Sequence, residues 1–307
     1  MNERSQITPD WIAVDWGTSN LRAWAMDAEG GVLAQAESHD GMGRLSRQDF
    51  EPALLRLIGS WLGSGGVPVV ACGMVGSRQG WCEAPYRQVP CTPLDPMAQV
   101  LAPTSDPRLK VRIAPGLKQI SPADVMRGEE TQIAGALRLD PGYDGILCLP
   151  GTHSKWAQIS AGEVISFQTF MTGEMFALLS ELSVLRHGMQ GEGWDEAAFD
   201  AGLSDALSRP ERIAARLFSL RAEGLLSGLA PATARARLSG LLIGIELAAA
   251  RPYWLGQRVT LIGAEKLSAA YARALLAQGV EAKTLPATAC TLAGLASLAP
   301  LTEAAPR

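Results

Sequence analysis

The sequence predicts an α/β fold of two lobes built on mixed sheets, and three observations point there. Strands arrive in short meanders, helices connect one meander to the next, and one hairpin motif is written twice. A chain of 307 residues exceeds what one hydrophobic core usually serves, so two lobes with an interlobe cleft are expected. The division falls at 1–110 and 111–307, with room for the last helix to pack back toward the first lobe.

The elements follow in order. Residues 11–14, 21–26 and 32–36 are short apolar strands separated by turns at 16–20 and 27–31. Residues 51–62 form a helix, because Leu54, Leu55, Ile58, Trp61 and Leu62 recur at helical spacing and Gly63 marks the stop. A buried strand at 67–72 precedes a stretch, 73–109, whose prolines forbid a long helix. A strand at 111–114 leads to a helix over 128–139 that opens beside Glu129 and Glu130, where the helix dipole favours acids. Strands at 146–149, 155–159 and 164–167 make the second meander. Residues 174–251 are mainly helical, and Leu238, Leu241, Leu242, Ile245 and Leu247 mark one deeply buried helix. A β-α-β unit over 258–285 turns at Gly263, and a last helix covers 290–298.

Composition narrows the function classes. With 47% hydrophobic and 19% charged residues the chain can bury enough apolar surface to offset backbone ordering. A net charge of -4 with scattered arginines provides no face for a nucleic acid. Residues 1–11 show no basic-then-apolar leader, and the most apolar stretch, 238–250, is short and interrupted by Glu246, so neither export nor a membrane span is expected. Five irregularly spaced cysteines suit reduced thiols in the cytoplasm.

The chemistry is expected in the repeated hairpin. Asp15-Trp16-Gly17-Thr18-Ser19-Asn20 leaves a buried strand in a turn that can aim backbone N–H groups and two hydroxyls at an anion, with Gly17 permitting close approach. Asp15 can hold a hydrated divalent cation there. Alone, this motif reads better as an ordinary hairpin turn with Asp bonded to its own backbone. The second copy, Gly151-Thr152-His153-Ser154-Lys155, shifts the weight: two such hairpins across a cleft would grip a polyphosphate, as phosphoryl transfer requires. Simple repetition of architecture, with Lys155 a solvated strand residue and His153 a satisfied turn histidine, is the alternative. The loop from Gly73 to Trp81 carries Gly76, Ser77, Arg78 and Gln79, with Trp81 and Tyr86 nearby. It suits a small acidic sugar, Arg78 taking the carboxylate, against the plainer reading of a surface turn. Thr172 and Glu174, at a helix start, add hydroxyl contacts or cap the helix.

The stretches 15–22 and 151–156 resemble the two phosphate elements of the sugar kinase, actin and Hsp70 superfamily. The segments 11–22, 73–81, 125–132, 149–156 and 170–174 together resemble the 2-dehydro-3-deoxygalactonokinase family, from about residue 10 to the last helix. The resemblance implies the actin-like ATPase (ribonuclease H-like) fold and phosphorylation of 2-dehydro-3-deoxy-D-galactonate at its 6-hydroxyl within galactonate breakdown. It also implies ATP as donor, with Mg²⁺ carried by the nucleotide and Asp15 as its protein ligand. Arg22, at the end of the first phosphate element, joins the phosphate contacts. A kinase of this kind needs a carboxylate base, and the superfamily places it where a helix begins before the second phosphate hairpin. That points to Glu130, then Glu129, with Asp124 as third candidate. Gly263-Ala264 is similar to the adenosine element, without the richer glycine run of many relatives. Leu149-Pro150 stands where many relatives carry an acid, which leaves metal holding to Asp15 and water. A small-molecule partner is implied, a homo-oligomer is compatible, and two other readings stay open: an actin-like nucleotide switch or assembly protein, and an exopolyphosphatase-type phosphohydrolase.

Overall fold

A computed structural model describes residues 7–299, so the first six residues of the leader reading lie outside the described residues. Nine strands come first: β1 (Trp11–Trp16), β2 (Leu21–Met26), β3 (Val32–Ser38), β4 (Val67–Gly73), β5 (Tyr86–Gln88), β6 (Val100–Leu101), β7 (Leu109–Ile113), β8 (Gly116–Gln119) and β9 (Asp124–Met126). Helix α1 (Phe50–Ile58) lies between β3 and β4, and α2 (Glu129–Leu139) follows β9. The second meander is β10 (Gly145–Leu149), β11 (Ser154–Ser160) and β12 (Glu163–Phe170). Helices α3 (Thr172–Ala177), α4 (Glu196–Ser208), α5 (Ile213–Ser227), α6 (Pro231–Ala249) and α7 (Arg251–Trp254) come next. The chain then runs through β13 (Val259–Gly263), α8 (Glu265–Leu276), β14 (Lys283–Pro286) and α9 (Ala287–Ala296).

The two large sheets repeat one plan. Their strand orders are β3-β2-β1-β4-β7-β6 and β12-β11-β10-β13-β14. In the first, β1 runs antiparallel to β2 and parallel to β4, which is parallel to β7. In the second, β10 runs antiparallel to β11 and parallel to β13, which is parallel to β14. This duplicated mixed sheet matches the two-copy architecture expected from the hairpin repeat. A third sheet, β5-β8-β9, was absent from the sequence reading. Its strands span three or four residues, too few for periodicity to register.

The described residues form two compact units. The first runs to Tyr143 and adds Ser160–Ser166 and the segment from Ala287; the second comprises Asp144–Ile159 and Phe167–Pro286. A division at 110/111 would cut through β7, which is hydrogen-bonded along β4 inside the first sheet. Helix α9 belongs with the first unit.

In the first unit, alternation along β1 sends side chains to two covered faces. Ile12, Val14 and Trp16 pack with Phe50, Leu54 and Ile58 of α1, while Trp11 and Ala13 pack with Leu295 and Leu298. Each large apolar side chain so buried contributes about 2 kcal/mol. Helices α2 and α9 touch backbone to backbone, since a Cβ on Gly294 would lie 2.0 Å from the Thr131 carbonyl oxygen. That contact holds the start of α2, which carries Glu129 and Glu130. The second unit buries Ile146, Cys148 and Trp156 against Phe199, Leu247 and Tyr271. Among the described residues no helix is long and apolar enough to cross a membrane.

Candidate active site

The first hairpin leaves β1 at Asp15. Its turn closes through the Gly17 amide donating to the Asn20 carbonyl at 2.9 Å. The turn is clasped from outside by two further amides, Met42 donating to the Gly17 carbonyl at 3.0 Å and Gly43 to that of Thr18 at 2.9 Å. The hydroxyls of Thr18 and Ser19 stand exposed at the tip, where an anion can reach them. Asp15, opposite Arg22 in the β1–β2 register, forms an ion pair with it. Burial pushes the Asp15 carboxyl up from its ordinary value, and Arg22 only partly opposes this. Arg22 is thus held on Asp15, in the second register pair from the turn, and its first role is to partner that acid.

Beneath this hairpin lies a second acid. Glu130, fully buried at the first turn of α2, accepts from the Gly128 amide at 2.7 and 2.9 Å and from the Thr131 hydroxyl at 3.2 Å. Burial first, and then the neighbouring Glu129, push it up to about 8. A carboxyl held near 8 is mostly protonated at neutral pH and donates rather than accepts a proton. Glu129, one residue earlier, is half-buried and accepts from the Arg127 amide at 3.1 Å. Gly128 makes this corner with a φ of 108°, a conformation that favours glycine, and its Cα side faces Gly73. Cys72, just before Gly73, points its Sγ at Asp15 from 3.9 Å, and burial beside Asp15 and Glu130 drives its thiol well up. Asp124 lies in β9, where its carboxylate takes the Val125 amide at 2.7 Å. The three candidate bases are therefore in three settings, and only Glu129 is both at the helix start and reachable.

The loop after β4 separates into exposed and buried residues. Arg78 and Gln79 are exposed, and the Arg78 guanidinium lies 3.8 Å from Glu83. Gly76 and Ser77 are buried. Trp81, expected at the sugar, is a core residue: it packs against Trp16 and Phe50, with Nε1 donating to the Pro103 carbonyl at 3.1 Å. A tryptophan buried to 3% exposure shapes the loop from beneath and is closed to ligand. Tyr86 is half-buried, with the Arg127 guanidinium over its ring.

The second hairpin has the same exposed tip, Thr152 and His153, after Pro150 and Gly151. Its support differs. The Glu174 amide donates to the Thr152 carbonyl at 2.9 Å, and His153 Nε2 meets the Glu174 carboxylate at 2.6 Å. Gly173 lets α3 come this close, for a Cβ there would lie 2.3 Å from the Gly151 carbonyl oxygen. Thr172 is buried and bonds Glu246. Thr172 and Glu174, expected as sugar contacts, thus brace the hairpin. Ser154 and Lys155 are also buried, already inside β11, with Lys155 opposite Leu149 and Ser154 Oγ 2.9 Å from the Tyr271 hydroxyl. They lie below the tip that a phosphate would meet.

Under this hairpin is a residue the sequence reading noted only as an interruption. Glu246 of α6 is 1% exposed and accepts from Trp156 Nε1 at 2.7 Å and from the Tyr271 hydroxyl at 2.6 Å. Burial raises its carboxyl despite these donors, and beside it the Tyr271 hydroxyl is raised well above its ordinary value. A lone acid in the apolar run 238–250 was the available signal. Gly263 and Ala264 join β13 to α8 beside the same hairpin, a Cβ on Gly263 lying 3.3 Å from the Pro150 carbonyl oxygen.

Among the described residues no group of three or more His, Cys, Asp or Glu could hold a metal ion. Asp15, though paired with Arg22, is a carboxylate at the first hairpin that could meet a hydrated Mg²⁺ arriving with a nucleotide, where phosphates and water would supply the other ligands.

Comparison with known proteins agrees over nearly the whole chain. The family model for 2-keto-3-deoxy-galactonokinase matches residues 15–298. A Rhizobium meliloti (strain 1021) protein named 2-dehydro-3-deoxygalactonokinase DgoK1 is 39% identical over 296 residues, covering 94% of this chain and 96% of the relative. The Escherichia coli (strain K12) 2-dehydro-3-deoxygalactonokinase is 36% identical, covering 95% of this chain and 98% of its own. A crystal structure described as a 2-dehydro-3-deoxygalactonokinase protein from Sinorhizobium meliloti superposes with a TM-score of 0.87 at 37% identity, over 94% of this chain and 97% of that one.

Proposed function

The chain belongs to the 2-keto-3-deoxy-galactonokinase family, and we propose that it moves the γ-phosphoryl group of ATP onto the 6-hydroxyl of 2-dehydro-3-deoxy-D-galactonate, a step of galactonate breakdown. The observation that carries this reading within the chain is the repeated bend: each large sheet ends a central strand in a glycine turn with at least one exposed hydroxyl at its tip.

Phosphoryl transfer asks the protein for positioning and charge stabilisation more than for covalent chemistry. Thr18 and Ser19 of the first hairpin, and Gly151, Thr152 and His153 of the second, donate to phosphate oxygens of ATP, with Gly17 permitting the close approach. Asp15 orients water on the accompanying Mg²⁺, which when bound neutralises charge on the phosphate oxygens. Gly263 and Ala264 let the nucleoside lie near the start of α8. Ser77, Gln79 and Tyr86 line the acceptor site. Glu129 takes the proton of the attacking hydroxyl as its oxygen bonds to the γ-phosphorus and the bond to ADP breaks, while Glu130, protonated, fixes the corner on which Glu129 stands. The reduced thiols of all five cysteines fit a cytoplasmic enzyme, and the partner is a small sugar acid.

A coupled ADP-release assay tests this reading. The expected result is saturable ADP formation that depends on the keto-deoxy acid; no acceptor-dependent turnover with that acid or its epimers would refute it.

A further inference from the structure

Arg127 closes the link between β9 and α2, and only 8% of it is exposed. Its guanidinium carbon stands 4.3 Å from the centroid of the Tyr86 ring, and Nη2 donates to the Ala84 carbonyl at 2.7 Å. Nε and Nη1 are buried without a hydrogen-bond partner. Among the described residues Arg127 forms no salt bridge within hydrogen-bond reach; its backbone amide donates to Glu129, and its charge acts on the buried Glu130 carboxyl without a hydrogen bond. A second unpartnered donor belongs to the residue after Gly76: Ser77, 5% exposed, buries an Oγ with no hydrogen-bond partner. Gly76 joins the two, since a Cβ on it would stand 2.9 Å from Arg127 Nη1. The missing side chain is what lets the guanidinium reach the backbone beside Ser77.

A buried guanidinium with two nitrogens that donate to nothing is costly, and so is a buried hydroxyl without a partner; a carboxylate would take hydrogen bonds from both. We propose that Arg127, with Ser77, anchors the carboxylate of the sugar acid, in place of Arg78, whose side chain is 82% exposed. This inference rests on the kinase reading above and names the group that selects an acid over a neutral sugar. Both donors are buried, so a carboxylate reaches them only when the residues covering them shift. Arg127, Gly128 and Glu129 are consecutive, which puts the anchor and the base on one short segment. That segment therefore fixes the carboxylate at one end of the substrate and the reacting hydroxyl at the other.

The test compares the keto-deoxy acid with its carboxamide, which keeps the shape and lacks the charge, in wild type, Arg127→Lys, Ser77→Ala and Arg78→Ala. Arg127→Lys is expected to raise KM for the acid on the order of tenfold to a hundredfold, with ATP affinity unchanged, and to erase most of the preference for acid over amide. Ser77→Ala should raise it several-fold in the same direction, and Arg78→Ala should leave both substrates as in wild type. An unchanged acid preference in Arg127→Lys, or its loss in Arg78→Ala, overturns the anchor while leaving the kinase reading intact. Should Arg127→Lys fail to fold, Ser77→Ala decides, and an unaltered KM for the acid there rejects the proposal. If the wild type turns over no keto-deoxy acid, the kinase reading fails instead; the anchor is then judged by whether acid binding, measured by calorimetry, is lost in the same variants.

Discussion

The two hairpins share a backbone device and differ in what lies beneath it. Under the first are ionisable groups in tension: Asp15 held against Arg22, a buried Glu130 pushed up to about 8, and Glu129 at the open corner of α2. Beneath the second is a closed neutral-to-acidic knot in which Glu246, Trp156, Tyr271, Ser154 and Thr172 satisfy one another. The difference teaches where chemistry and where holding are done. Strained, reachable acids suit proton transfer, whereas a satisfied buried network suits a hairpin that must keep its shape. Changes near the first hairpin should therefore cost turnover, and changes under the second should cost stability.

The largest effect is expected for Glu129→Gln, which removes the base. Its kcat should fall on the order of 10²–10⁴-fold, with ATP binding retained in a nucleotide titration. Glu130→Gln, replacing a largely protonated carboxyl with a neutral amide of the same shape, should change kcat by only a few-fold. Equal losses in both variants would break the division of roles. Next comes Glu246→Ala, which strands the Trp156 indole N–H and the Tyr271 hydroxyl in the core and should lower unfolding stability by about 3 kcal/mol in a denaturant titration. Turnover of the protein that remains folded should suffer far less.

A third expectation concerns pH. Glu130 is raised in the folded chain from an ordinary value near 4.5, so between these limits the folded state holds a proton that the unfolded state has lost. Its contribution to stability is complete below the lower value and fades as pH rises toward about 8, at roughly 1.4 kcal/mol per pH unit. Melting temperature should accordingly decline from pH 5 to 8 in wild type and decline less steeply in Glu130→Gln. Parallel slopes would mean the carboxyl is not so perturbed. The smallest effect belongs to His153→Ala. That removes a partly exposed pair with Glu174 and should cost no more than about 1 kcal/mol, since the Glu174 amide still holds the Thr152 carbonyl.

Much of this division was legible in the sequence because it lives in local pattern. The alternation along β1, the two glycine bends and the helical spacing of α1 and α6 are properties of short segments, and each element stands within a few residues of its expected place. What escaped depends on tertiary burial. Trp81 reads as a ligand contact beside a polar loop, and only the packing of Trp16 and Phe50 shows it to be core. Thr172 and Glu174 read as sugar contacts until α3 is seen lying on the second hairpin. Glu129 and Glu130 are adjacent in sequence, yet one is half-buried and the other fully buried, a matter of helix phase that the packing of α2 on α9 decides. Arg127 sat in plain view before that pair, but its two unpartnered guanidinium nitrogens are a fact of three dimensions.

The most direct measurement is ³¹P NMR of the reaction of ATP with 2-dehydro-3-deoxy-D-galactonate. A kinase acting at the 6-hydroxyl yields ADP together with a new phosphomonoester signal split into a triplet by the adjoining methylene protons. Inorganic phosphate as the sole new product, formed whether or not the sugar acid is present, would contradict it.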